Sequence, residues 1–331
     1  MTCAASERVN QHLPQRLINV FHGIALLMVF STTVQAGEKP IYGTDDRNEI
    51  LYSDAVACRA ALSTVAILPR SAVKKGINDR WKLQAAETLG DKGWCADERF
   101  SDQLSVVACS GFLIANNRVV TAAHCINAAD DPYGPGLNCD SAVFVFDYKI
   151  ADDGELPLLY RSDQVRTCEV VLDGEEITGG PDWRVIQLDQ PVARNALAVL
   201  NSRDLPAETG LMTVVGHPLG LPMKSARNGT LRKNTSEHHF VLNIDSYEGN
   251  SGSGVIASVR GVPVVVGMLT SGSKDFVYAE QSCKRSKICE PGQCRGETAT
   301  RASAFSGWAG NAVTLQTLVN LTQSVPADSC S

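Results

Sequence analysis

Short β-branched runs broken by turn residues constrain this chain more than any other feature. Residues 63–68, 104–114, 118–122, 142–148, 165–172, 185–188, 211–215, 240–244 and 263–269 each read as a strand, with Gly, Pro, Asn and Asp clustered between them. Asn116-Asn117 reads as a tight turn joining two of these runs. Val143, Val145 and Asp147 alternate with Phe144, Phe146 and Tyr148, which puts the aromatics on one face. Residues 71–95 read as a loop-rich insertion, and 197–209 as the connection between two halves. Val313, Leu315, Leu318, Val319 and Leu321 fall at the spacing of one helix face. Many short strands and one late helix point to an all-β architecture of barrels.

The 331 residues can bury a sizeable core. A net charge of −6 argues against nucleic acid, which needs a basic footprint. Residues 1–36 read as a secretory signal: Arg8 and Arg16 precede an apolar stretch at 24–30, and Val34-Gln35-Ala36 offers a small-residue cleavage site. A membrane anchor would need about 20 apolar residues, more than this stretch supplies. The polar residues 37–57 read as an N-terminal extension or short pro-segment. Of 11 cysteines, Cys3 lies in the signal, which leaves an even number suited to disulfides in an oxidising compartment. Cys283, Cys289 and Cys294 lack paired C-x-x-C spacing, so disulfides are expected there in preference to a metal. His238 and His239 are adjacent on an expected strand and point to opposite faces, and His217 lies well before them. No metal and no cofactor is expected.

Two stretches carry chemistry. Gly249-Asn250-Ser251-Gly252-Ser253-Gly254 puts hydroxyls among glycines, where a sharp turn can bring backbone N–H groups close to a substrate oxygen. Thr121-Ala122-Ala123-His124-Cys125 ends an apolar run on a histidine, the side chain that titrates near neutral pH and can activate a weak nucleophile. As a pair, in this order, they resemble the trypsin-like (chymotrypsin-fold) serine peptidases over roughly residues 55–320. The nucleophile motif has the form of the bacterial, glutamyl-endopeptidase-like members.

The resemblance implies two six-stranded antiparallel β-barrels of the chymotrypsin fold and a C-terminal helix. It divides the chain into a signal at 1–36, an extension at 37–57, a first barrel at 58–200 and a second barrel with the helix at 201–331. It implies Ser251 as nucleophile, His124 as base and Asp182 as the orienting carboxylate, with Asp189 and Asp173 as alternatives for the last. The N–H groups of Gly249 and Ser251 would form the oxyanion hole. A Cys109–Cys125 disulfide is implied as well. Asp245, six residues before Ser251, would lie at the base of the S1 pocket and favour cleavage after Lys or Arg, with Thr270, Ser271 and Gly272 as the pocket wall. Tyr247 departs from the family's bracing Cys, and Asn250 from its commoner Asp. The expected protein is a secreted or periplasmic monomeric endopeptidase acting on proteins or peptides, free of the membrane once its signal is removed. Two other readings stay open: a catalytically silent binding protein on the same fold, and a protease with a non-basic P1 preference.

Overall fold

The structure, a computed structural model, describes residues 41–128, 134, 136–207, 209–279, 282–290 and 293–320. The expected signal, Cys3, Leu321 and Cys330 lie outside the described residues. Six strands form the first barrel: β1 (Thr64–Pro69), β2 (Cys109–Ala115), β3 (Arg118–Thr121), β4 (Ala142–Phe146), β5 (Val165–Glu176) and β6 (Asp182–Leu188). They close antiparallel in the order β5-β6-β3-β2-β1-β4. Six more form the second: β7 (Met212–Gly216), β8 (Lys224–Lys233), β9 (His239–Asn243), β10 (Gly254–Val259), β11 (Val262–Ser271) and β12 (Glu297–Arg301). Their order is β10-β7-β8-β9-β12-β11, closed by the pairing of β10 with β11. These are the two closed six-stranded barrels of the chymotrypsin fold, and a short helix, α2 (Leu315–Asn320), follows them.

The alternation at 142–148 is sorted by two cores. Phe144 and Phe146 point into the first barrel, while Val143 and Val145 meet Trp81, Leu83 and Tyr160 on its outside. That outer layer is a three-stranded sheet of Val73–Lys75, Arg80–Leu83 and Leu159–Arg161, so the expected loop-rich insertion contains strands. Tyr148 leaves the aromatic face and joins the outer cluster, because Asp147 has φ +59° and breaks the strand's period.

Several elements differ from expectation. Helix α1 (Ala55–Ser63) crosses the expected start of the first barrel, capped by Asp54, whose carboxylate accepts the Val56 and Ala57 N–H groups at 3.0 and 2.9 Å. Ala198–Leu200, expected at the end of the first barrel, pairs in parallel with Val264 and Val265 of β11. It fills the stretch of β11 that β12, paired from Gly267 onward, leaves uncovered. The N-terminal extension is built into the second barrel. Ile41–Tyr42 pairs with Ile288–Cys289, and Asn48–Glu49 with Lys224 and Ser225 of β8. Between these pairings Arg47 is buried, its guanidinium bidentate on Asp45 at 2.9 and 2.7 Å and 4.3 Å from the Tyr247 ring centroid.

Disulfides join Cys95 to Cys283, Cys109 to Cys125, Cys139 to Cys168 and Cys289 to Cys294, and Cys58 is disulfide-bonded as well. No helix among the described residues is long and apolar enough to cross a membrane.

Candidate active site

Strands β3 and β6 pair with Thr121 opposite Arg184, and this register carries Asp182 level with the turn after β3. His124 sits in that turn, the 3-10 segment Ala123–Cys125. One Asp182 oxygen accepts the Ala123 N–H at 2.6 Å and the His124 N–H at 3.4 Å; the other lies 2.7 Å from His124 Nδ1. A carboxylate oxygen accepts, so this contact goes with the tautomer protonated at Nδ1, which leaves the Nε2 lone pair free. The His124 side chain is about one-third exposed and open to a reactant. From the second barrel, Thr300 of β12 exchanges backbone contacts with Asp182: its hydroxyl accepts the Asp182 N–H and donates to the Asp182 carbonyl, both at 3.4 Å.

Ser251 lies between β9 and β10, against the disulfide next to His124. Cys125 Sγ is 3.9 Å from the Ser251 carbonyl, a contact and not a hydrogen bond, because an oxidised sulfur has no proton. The Ser251 hydroxyl points to the Thr270 carbonyl at 3.5 Å. Glycine is required at two neighbours. Gly249 has φ +89°, and a Cβ there would stand 2.5 Å from the His217 carbonyl; at Gly252, φ +88°, it would stand 2.0 Å from the Ser110 carbonyl.

The main chain of this loop is almost fully paired. The carbonyls of Tyr247, Glu248, Asn250 and Ser251 accept N–H groups from Asn250, Leu219, Ser253 and Ser110 at 3.0, 2.5, 2.9 and 2.9 Å. The Gly249 carbonyl accepts the Ser110 hydroxyl at 2.8 Å, and the Glu248 N–H goes to Asp275 at 2.9 Å. Gly252 donates to Leu269 at 2.8 Å. Among the described residues, the Gly249 and Ser251 N–H groups have no acceptor. Asn250, 3 % exposed, is satisfied by neutral partners: its amide nitrogen donates to Ser246 at 3.2 Å, and its amide oxygen accepts from the Ser253 hydroxyl at 3.4 Å.

Asp245 is buried, and its two oxygens accept the Tyr42 and Asp46 N–H groups at 2.7 and 2.8 Å. These are different partners from those of a carboxylate open to a substrate cation. Burial pushes its carboxyl up to about 7. Thr270 and Ser271 end β11 beside β12, with Ser271 paired to Thr298, and Gly272 follows directly. The Gly272 carbonyl is taken by the Arg295 guanidinium, through Nε at 2.7 Å and through Nη2. Asp173 and Asp189 lie elsewhere: Asp173 accepts the Trp308 indole N–H at 2.8 Å, and Asp189 the Thr167 N–H at 3.0 Å. His124 is close to the sulfurs of Cys109 and Cys125, but a disulfide offers no thiolate to a metal. His217 is buried in the turn after β7, with Nδ1 3.1 Å from the Leu221 carbonyl, and burial lowers its imidazole to about 3. Ser110, Leu219, Thr300 and Arg295 contact the site unforeseen from sequence. Nothing in their local sequence marks them, since each acts on residues distant in the chain.

The family model described as "Trypsin-like peptidase domain" matches residues 109–268. Comparison with curated proteins finds no match. Among solved structures, the crystal structure of a scabies mite inactivated protease paralogue, SMIPP-S-I1, is similar at 13% identity and a TM-score of 0.46, over 77% of this chain and 96% of that one. Residues 109–268 thus carry the sequence pattern of a trypsin-like peptidase domain, within two barrels that have the chymotrypsin fold.

Proposed function

We propose that the chain is a secreted or periplasmic serine endopeptidase working through Ser251, His124 and Asp182. One observation carries this reading: the two N–H groups that the loop leaves unclaimed are those of Gly249 and Ser251, beside a histidine whose Nδ1 is held by a carboxylate. The disulfides and the expected signal support an oxidising destination. The bacterial, glutamyl-endopeptidase-like form of the nucleophile motif goes with the same reading.

The chemistry follows from these positions. The Ser251 hydroxyl, held only at 3.5 Å by the Thr270 carbonyl, must leave it for His124 when substrate binds; such catalytic bonds are commonly loose before then. Ser251 Oγ attacks the scissile carbonyl carbon, and its proton passes to His124 Nε2. The carbonyl oxygen becomes an oxyanion held by the two free N–H groups, and Asp182 stabilises the imidazolium. Collapse breaks the C–N bond, and His124 returns the proton to the leaving amine. Water then attacks the acyl-enzyme by the same route and restores Ser251. Asn250 makes neutral hydrogen bonds within the loop, so a charge-paired activation switch at that residue has no carboxylate to work with.

On specificity, the engagement of Asp245 by Tyr42 and Asp46 favours a non-basic P1 preference over Lys or Arg. A random peptide library reads this directly. Cleavage after Lys or Arg, lost selectively in Asp245→Asn, would overturn it. For the activity itself, a fluorophosphonate probe is expected to label Ser251, and Ser251→Ala to lose about 10⁶ in turnover. A parent that takes no label and cleaves nothing would make the protein a silent binding module.

A further inference from the structure

We propose that Ser110, on the first barrel, is a positioning residue for the oxyanion hole of the second; this rests on the peptidase reading above. Ser110 is the second residue of β2 and has no exposed surface. Both of its backbone polar groups and its hydroxyl are engaged around the nucleophile loop. Its N–H donates to the Ser251 carbonyl at 2.9 Å, and its own carbonyl accepts the Thr121 hydroxyl at 2.7 Å. Its hydroxyl oxygen lies 2.9 Å from the His217 backbone nitrogen and 2.8 Å from the Gly249 carbonyl.

The direction of the hydroxyl proton is therefore fixed. A backbone N–H can only donate, so the His217 N–H gives to Ser110 Oγ, and the Ser110 proton goes to the Gly249 carbonyl.

Peptide planarity turns this bond into control of the hole. In a trans peptide the N–H points opposite the carbonyl of the preceding residue. Leu219 N–H on the Glu248 carbonyl thus aims the Gly249 N–H, and Ser253 N–H on the Asn250 carbonyl aims the Ser251 N–H. Between these two peptides lies that of Gly249 and Asn250, whose carbonyl is the one Ser110 holds. Gly249 is the residue at that joint with the widest backbone freedom, at φ +89°. Of the donors to the Glu248, Gly249 and Asn250 carbonyls, two are backbone N–H groups that substitution leaves in place, and the third is the Ser110 hydroxyl. The Asn250 N–H of the central peptide stays on the Tyr247 carbonyl at 3.0 Å, so removing the hydroxyl leaves that peptide held at one end only, able to pivot about the Tyr247 bond and shift the two donors relative to each other. Ground-state binding of the peptide substrate does not use that alignment, whereas the transition state does.

The test compares Ser110→Ala with the parent on a peptide substrate taken from the library profile, and in the rate of fluorophosphonate labelling of Ser251. The expected result is a kcat lower by about 10- to 100-fold, below the loss seen on deleting a donor itself, with KM within about twofold. Labelling slows in parallel, and Ser110→Thr, which keeps the hydroxyl, recovers most of both rates. If the Ala variant fails to fold, Ser110→Gly removes the same hydroxyl with less bulk and makes the same comparison. A folded variant with parental kcat and labelling rate, or a loss confined to KM, overturns the proposal while leaving the peptidase reading intact. A parent whose Ser251 takes no label overturns both.

Discussion

Asp245 is buried and takes two backbone N–H groups, and burial holds its carboxyl at about 7 against a usual value of 3.8. The sign of the linkage follows. Between about pH 4 and 7 the folded state keeps a proton that the unfolded chain gives up, so this group's stabilising contribution is greatest at low pH and is lost as pH rises to 7. Asp45 and Asp46 nearby push the same way. Denaturant midpoints at pH 5 and pH 8 are expected to show the parent losing about 2 kcal/mol relative to Asp245→Asn, whose side chain does not titrate. A parent–variant difference that stays flat with pH would remove the charge from this account. Residues differ in how far sequence alone exposes them. His124 and Ser251 are legible because the chemistry proposed for them needs fixed neighbours: glycines that allow a left-handed turn, and a cysteine that pins the histidine's turn. The partners of Asp245 are not, because Tyr42 and Asp46 reach it with backbone atoms that every residue possesses.

At the scale of elements, the segment from Ile41 to Glu49 acts as a strap across the second barrel, and Arg47 is its buried rivet. Its guanidinium is bidentate on Asp45 and faces Tyr247 and, at 5.5 Å, Phe100. Truncation leaves a partly buried carboxylate with the more exposed Arg99 at 3.1 Å and the backbone N–H of residue 47 at 3.2 Å. Arg47→Ala is expected to cost about 3 kcal/mol by chemical denaturation and to speed limited proteolysis within residues 41–50. An unchanged cleavage rate there would mean that the two short strand pairings hold the strap by themselves. The strands that frame the candidate site are readable because apolar β-branched runs mark them. Helix α1 escapes notice because its buried face is mostly alanine, which gives little periodic contrast. Strand β8 escapes because Lys224–Lys233 is largely polar and is held by backbone pairing with β7 and β9, which no side-chain pattern records.

Across the whole molecule, the segment around Cys95, inserted in the first half, is tied to the second half by Cys95–Cys283, with Trp94 packed edge-on against Tyr247 and Phe276. The bond closes a sequence separation of 188 residues. On the chain-entropy model that is worth at most about 5 kcal/mol, and the Cys95→Ser, Cys283→Ser double variant is expected to melt about 10 °C lower. A shift under about 2 °C would show that the packed aromatics already restrict the unfolded chain there. The strap has a consequence in time as well as in space. A ribosome delivers residues 41–49 well before their partners at 224–225, 245 and 288–289. Until those partners emerge, Ile41 lacks its strand partner and Arg47 the Tyr247 ring. A nascent chain halted anywhere before Cys289 leaves the first pairing of the strap unmade, so this segment docks only after the strands it crosses have been synthesised.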